Sequence, residues 1–78
     1  MTWNYRLLEK KDGSIGIHEV YYDDNNQIVS WTDTHCGISG DSFLDCYQQL
    51  ELMYEAFKEK ALNEKVLEES LKINEAIK

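Results

Sequence analysis

The side chains best suited to bind a metal or to act as nucleophiles are two histidines and two cysteines, His18, His35, Cys36 and Cys46. Imidazole nitrogen and thiolate sulfur are ligands that zinc prefers, but structural zinc sites usually contain a Cys-x-x-Cys pair, which this chain lacks. His35 and Cys36 are adjacent and therefore poorly spaced to chelate one ion with tetrahedral geometry. We therefore expect no metal site.

A cysteine nucleophile would pair Cys36 with His18 or His35 as its base. Thiolate formation is favoured by nearby cations, whereas this chain carries 15 acidic against 8 basic residues. Cys46 lies on the apolar stripe of a predicted helix, where a free thiol packs as a small hydrophobic residue. We expect no catalytic residue, no cofactor and a protein that is not an enzyme.

The run Asp23-Asp24-Asn25-Asn26 contains oxygen ligands of the kind that calcium prefers. It lacks the alternating ligand positions and the distal glutamate of a calcium loop. The run is typical of a hairpin turn instead.

Three segments with the alternation and the β-branched and aromatic residues of strands cover residues 3–10, 15–22 and 27–34. Turn-forming residues separate these segments at 11–14 and 23–26. The pattern predicts a three-stranded antiparallel β-meander.

Two-residue loops at both turns would fix the register of these strands. The first loop would set Trp3 opposite Tyr22. The second would set Val20 opposite Trp31 and Tyr22 opposite Val29. Both registers predict a single inward face, made of Trp3, Tyr5, Leu7, Val20, Tyr22, Val29 and Trp31.

A helical pattern follows Ser42, which with Asp45 resembles a capping box. An apolar stripe with a period of 3.6 residues contains Phe43, Cys46, Tyr47, Leu50, Met53, Tyr54, Phe57 and Ala61. We expect this helix to lie across the aromatic face of the sheet. Beyond Ala61 a second apolar stripe is present, so either the first helix extends or a second one begins near Asn63.

The predicted fold class is therefore α+β, with the β-meander packed on a long C-terminal amphipathic helix that a second helix could follow. We expect a domain over residues 1–62 and a helical C-terminal extension over residues 63–78. At 78 residues the chain has room for a single domain.

Several short segments match a known pattern: Met1-Thr2-Trp3-Asn4-Tyr5-Arg6, Gly16-Ile17-His18-Glu19-Val20-Tyr21-Tyr22-Asp23, Trp31-Thr32, Leu50-Glu51-Leu52-Met53, Glu55-Ala56-Phe57 and Leu62-Asn63-Glu64. In these segments, which span residues 1–64, the chain resembles a family of small bacterial proteins with no established activity. The resemblance implies a bacterial or phage source and a sheet-plus-helix domain, and it implies no activity. The chain departs from the family in having Lys60-Ala61 where a proline is usual, and in continuing through residues 65–78.

The formal net charge of −7 disfavours direct binding to nucleic acid or to anionic membranes, because both carry negative charge. The sequence contains no apolar run long enough to span a membrane and no basic-then-apolar signal pattern. We therefore expect a cytoplasmic protein with another protein as its partner.

The second sheet face is expected to be too apolar to remain uncovered in a monomer. The C-terminal stripe, a second copy of the chain or another protein could cover it. The expected partner-binding residues combine this face, exposed carboxylates and the C-terminal stripe: Leu8, Ile15, Ile17, Tyr21, Ile28, Asp23, Asp24, Glu51, Glu55, Glu59, Val66 and Ile73.

Two functions fit these residues. The first is a non-enzymatic, small acidic protein-interaction module that binds another protein or forms a homodimer. The alternative is a phage-type inhibitor, an anti-CRISPR or other anti-defence protein, whose acidic surface blocks a nucleic-acid-binding partner.

Overall fold

The computed structural model describes residues 2–77, with side chains described as far as Lys72. The fold is α+β, as the sequence predicts, with a mixed sheet and two α-helices. The elements in chain order are β1 (Thr2–Glu9), β2 (Ile15–Tyr22), β3 (Ile28–Trp31), α1 (Phe43–Tyr54), a 3₁₀ helix (Glu55–Lys58), β4 (Leu62–Asn63) and α2 (Glu64–Ile77).

The sheet has four strands in the order β3-β2-β1-β4. The first three strands form the predicted antiparallel meander. The fourth strand was not predicted: Leu62 and Asn63 pair in parallel with Leu8 and Glu9. A two-residue strand is too short to produce an alternating pattern, so the sequence carries no periodic signal for it.

The first turn is a three-residue loop and not the predicted two-residue loop. The backbone N–H of Lys10 donates to the carbonyl of Ser14 (2.8 Å), and that of Gly13 donates to the carbonyl of Lys10 (2.9 Å). Gly13 has φ = 90°, in the left-handed region, as in a type I turn followed by a bulge. The Ser14 hydroxyl and backbone N–H donate to the Asp12 carboxylate (2.7 and 2.9 Å), and these bonds lower the pKa of Asp12.

The extra loop residue shifts the register between β1 and β2 by one position. Trp3 lies opposite Tyr21 and not opposite Tyr22. A one-residue slip moves a whole strand's side chains to the other face. The single aromatic face predicted from the sequence is therefore wrong, because Trp3 shares its face with Ile17 and Tyr21 and not with Val20.

The second turn confirms one predicted pair and changes another. Val20 lies opposite Trp31, as predicted. Tyr22 lies opposite Ile28, one residue earlier than expected, because a bulge shifts the register between β2 and β3. Asn26 has φ = 61°, so this turn also needs a left-handed residue and a third loop position.

The core is small and lies on the face of the sheet opposite Trp3. Leu8 and Val20 are fully buried there, and His18 is nearly so. The expectation that Leu8 belongs to the outer, partner-binding face is corrected by its burial in the interior. Met53 and Ala56 complete the buried apolar set.

Helix α1 begins as predicted and ends earlier. The Ser42 hydroxyl accepts a hydrogen bond from the backbone N–H of Asp45 (3.1 Å), which confirms the N-cap. The helix ends at Tyr54, and Glu59 has an extended backbone after the 3₁₀ helix. A single long helix through Ala61 is therefore wrong.

Helix α2 is a separate element, which confirms the alternative of a second helix near Asn63. The Asn63 side-chain oxygen accepts a hydrogen bond from the backbone N–H of Val66 (3.2 Å), as an N-cap does. The predicted boundary after residue 62 falls inside β4, and the division of the chain there stays a prediction. Within residues 2–77, no helix has the length and apolarity to cross a membrane.

Candidate interaction surface

Most of the predicted apolar stripe of α1 lies on the protein surface. Among its members only Met53 is buried, with 3% exposure. Phe43 is 98% exposed, and Tyr47, Leu50, Tyr54 and Phe57 are 50–62% exposed. The prediction that the stripe packs across the aromatic sheet face is therefore wrong.

The reason lies in how α1 meets the sheet. Burial is confined to Met53 near the end of α1 and to Ala56 in the 3₁₀ helix. Both elements contact β1, and the chain then pairs with β1 again through β4. The C-terminal end of α1 is thus tethered at β1, and Met53 lies at one edge of the stripe, so the centre of the stripe faces outward.

We define the α1 apolar surface as the exposed large apolar residues on and beside the stripe of α1 and the 3₁₀ helix: Phe43, Leu44, Tyr47, Leu50, Tyr54 and Phe57. An aromatic side chain has roughly 150–250 Å² of surface, so its four aromatic residues alone expose on the order of 500 Å². A typical stable interface buries about 800 Å² on each partner. The α1 apolar surface is therefore close to the size of one side of such an interface.

The charges beside this surface are mostly negative. Residues 43–59 contain four acidic residues and a single basic one, Lys58. Glu51, Glu55 and Glu59, all expected from the sequence to bind a partner, are exposed here. Lys58 forms an ion pair with Glu55 (3.0 Å) and lies 5.9 Å from the centre of the Tyr54 ring.

A groove of about 440 Å³ runs between the start of β1 and the end of α1. We call it the Trp3 groove, and it is lined by Trp3, Asn4, Tyr5, Leu52, Glu55, Lys58 and Glu59. The Trp3 and Tyr5 rings stand at 90° with their centres 5.2 Å apart, and Trp3 is half exposed. The groove was not predicted from the sequence, in which Leu52, an apolar residue off the main stripe, is the signal that could have indicated it.

The other described apolar residues predicted to bind a partner lie in three places: Ile15, Ile17 and Tyr21 share one face of β2, Ile28 begins β3, and Val66 lies on α2. Ile15 and Val66 are exposed, whereas Ile17, Tyr21 and Ile28 are half-buried. Burial raises the pKa of the Tyr21 phenol, and the nearby Glu19 carboxylate raises it further.

Two of the predicted acidic residues, Asp23 and Asp24, lie at the second turn. The Asp23 carboxylate accepts hydrogen bonds from the backbone N–H groups of Asn25 and Gln27 (both 2.9 Å), so it shapes its own turn. Asp24 is exposed in the same turn. The Ile73 side chain lies outside the described residues.

Both histidines lie beside Gly16 and line one pocket, and neither cysteine lines that pocket. The ring nitrogen Nδ1 of buried His18 lies 2.9 Å from the carbonyl oxygen of Thr32 and donates to it in the tautomer that carries the proton on Nδ1. Cys36 and Cys46 are free thiols, both half-buried. Within the described residues, no three His, Cys, Asp or Glu side chains come together in a way that could hold a metal ion.

A buried ion cluster lies at the other end of β1. The Glu64 carboxylate accepts hydrogen bonds from Lys10 Nζ (2.8 Å), Trp31 Nε1 (2.9 Å) and the backbone N–H of Lys11 (3.3 Å). The Lys10 and Trp31 donors lower the pKa of Glu64 to about 2, and the Glu64 carboxylate raises the pKa of Lys10. The cluster joins β1, β3 and the start of α2, which is a structural role.

Comparison with models of protein families, with curated proteins and with solved structures finds no match to this chain.

Proposed function

We propose that this chain is a non-enzymatic protein-interaction module that binds another protein through the α1 apolar surface. The observation that carries the proposal is the exposure of this surface, with Phe43 98% exposed. Soluble monomers rarely leave contiguous apolar patches of more than a few hundred Å² uncovered, and larger patches mark sites of interaction.

The proposed partner has an apolar groove with basic residues at its edges. An amphipathic helix commonly binds by placing its apolar face into such a groove. Glu51, Glu55 and Glu59 beside the α1 apolar surface favour a basic edge, because opposite charges across an interface speed association and select the partner. In a symmetric homodimer the acidic residues of one copy would face those of the other. Their repulsion makes a second copy of the chain the weaker candidate for the partner.

A second candidate function is the inhibitor of a nucleic-acid-binding protein. The observation that favours it is the negative charge of residues 43–59 beside the apolar residues, in a chain of net charge −7. A protein that binds nucleic acid carries basic residues in its binding groove. This candidate predicts that the partner's affinity for nucleic acid falls in the presence of the chain and that binding weakens strongly with added salt.

The test of the first proposal compares two double variants. The variant Phe43→Ser/Tyr47→Ser removes two exposed apolar side chains from the α1 apolar surface. The control Ile15→Ser/Val66→Ser removes two exposed apolar side chains (65% and 58% exposed) from β2 and α2. Partners are isolated from the native host with each form as bait, purified, and titrated against wild type and both variants.

We expect the Phe43→Ser/Tyr47→Ser variant to bind the purified partner at least about tenfold more weakly than wild type, because buried aromatic residues dominate interface energies. The control should bind as wild type does. Equal binding by wild type and both variants contradicts the proposal. If light scattering instead shows a dimer that Phe43→Ser/Tyr47→Ser dissociates, the partner is a second copy of the chain.

A further inference from the structure

We propose that the Trp3 groove binds an arginine side chain of the partner protein. This inference rests on the proposed function, because the groove is lined by Glu55 and Glu59, two of the acidic residues beside the α1 apolar surface. It adds the chemistry of the group that is recognised there.

The walls of the groove favour a planar, partly apolar group. Trp3 and Tyr5 contribute two rings at right angles from one face of β1, and Leu52 contributes an apolar wall from α1. Aromatic rings carry negative charge on their faces and attract cations placed over them. Trp3 is half exposed, so a face or edge of its indole is accessible to a ligand.

The charges of the groove favour a cation. Glu55 is already paired with Lys58 (3.0 Å), so those two charges offset each other. Glu59 is exposed and makes no ion pair or hydrogen bond with any other residue that the structure describes. Its carboxylate is therefore the uncompensated charge beside the two rings.

Arginine fits these walls better than other side chains. Its guanidinium group is planar, stacks on aromatic rings and donates two parallel hydrogen bonds to a carboxylate. The lysine ammonium group is compact and strongly hydrated, and it gains less from a flat aromatic wall. An acidic ligand would be repelled by Glu59, and an apolar ligand would leave that carboxylate without a counter-charge.

The experiment titrates the full-length protein with N-acetyl-arginine amide and follows the two indole N–H signals by NMR, assigned with Trp3→Phe. The isosteric neutral control is N-acetyl-citrulline amide, and N-acetyl-lysine amide tests the choice of cation. The indole N–H of Trp31 is bonded to Glu64 (2.9 Å) and serves as the internal reference.

We expect the arginine amide to shift the Trp3 signal in a saturable way, to leave the Trp31 signal unchanged and to bind more tightly than the lysine amide. Glu59→Gln should weaken arginine binding several-fold. The matched control Glu69→Gln removes the same charge from an exposed position on α2 and should have little effect. Lys58→Met should strengthen arginine binding, because it frees the Glu55 carboxylate for the ligand.

The inference is overturned if the citrulline amide shifts the Trp3 signal as strongly as the arginine amide, if the lysine amide binds equally well, or if Glu69→Gln weakens binding as much as Glu59→Gln. These outcomes are independent of the proposed function, since partner binding that depends on Phe43 and Tyr47 can persist when the groove does not recognise arginine. If the arginine amide binds the groove but partner binding does not depend on Phe43 and Tyr47, only the proposed role of the α1 apolar surface is rejected.

Discussion

Glu64 is the buried carboxylate with the greatest number of described donors, and its partners come from distant parts of the chain. Lys10 lies 54 residues before it, and Trp31 lies 33 residues before it. The Glu64 side chain is 8% exposed, and that of Lys10 is 17% exposed. Removing one partner of a buried ion pair is costly, and Lys10 would keep only its ion pair with the exposed Asp33 carboxylate (3.2 Å).

We predict that Glu64→Gln lowers the free energy of unfolding by roughly 3 kcal/mol, the lower end of the range for a buried ion pair. The measurement is urea unfolding followed by circular dichroism. Glu69→Gln, at an exposed position on the same helix, is the control and should change the free energy by less than about 0.5 kcal/mol. Equal stability of the two variants would contradict the role given to Glu64.

The same carboxylate makes stability depend on pH. Its pKa is lowered in the folded state from the ordinary 4.5 to about 2, so its contribution is fully present above pH 4.5. As the pH falls from 4.5 towards 2, the unfolded state takes up a proton first and this contribution is lost. We expect Glu64→Gln to show a flatter loss of stability than wild type over this interval, and parallel curves would contradict that expectation.

At the level of the elements, sequence patterns identified the three long strands and the start of α1, but not β4 and not how the elements face one another. Alternation predicted β1 to β3, and the N-cap at Ser42 was predicted from its hydroxyl and the spacing to Asp45. The predicted register was wrong for all of β1 and β2, and for β2 and β3 it was wrong only next to the turn, because Gly13 and Asn26 adopt left-handed conformations that add a loop residue. The sequence allows either loop length, and a difference of one residue reverses the face of a strand.

The periodicity of α1 does not show whether its apolar stripe faces the sheet or the solvent. A stripe shows which residues could be buried together, but the contact that buries them depends on the tether at the end of the helix. Here Met53 and Ala56 are buried while Phe43 and Tyr47 are exposed. Most residues of the candidate surface were therefore predicted to form the core, and the partner was predicted to bind the second sheet face, the exposed carboxylates and the C-terminal stripe.

This arrangement predicts contrasting effects along one helix. Met53→Ala should lower the free energy of unfolding by about 2–4 kcal/mol, because it leaves a cavity in a small core. Leu50→Ala, three residues earlier on the exposed stripe, should cost less than about 1 kcal/mol. Both are measured by urea unfolding, and a larger loss for Leu50→Ala would show that the stripe is buried in solution.

For the molecule as a whole, β4 and the start of α2 connect the C-terminal part of the chain to β1 and the first turn. Leu62 and Asn63 pair with β1, Glu64 enters the ion cluster, and Glu68 forms an ion pair with Lys11. These contacts join the two ends of the described chain. The sequence could not predict them, because each rests on a long-range contact and not on a periodic pattern.

We predict that a chain ending at Ala61 is less stable than full-length Glu64→Gln, since it loses β4 as well as Glu64. A chain ending at Lys72 keeps β4, Glu64 and Glu68, and is the matched control. Thermal unfolding followed by circular dichroism measures both. If the chain ending at Ala61 melts at the wild-type temperature, the contacts of β4 and Glu64 contribute little to the fold.

The parallel pairing of β4 with β1 has a consequence for synthesis on the ribosome. The hairpin of β1 and β2 needs only neighbouring residues and can close as soon as they emerge. The hydrogen bonds of Lys10 and Trp31 to the Glu64 carboxylate can form only after residue 64 has been translated and has left the ribosome. During that interval the nascent chain exposes unpaired backbone groups at β1, so this edge is where chaperones or neighbouring chains would bind first.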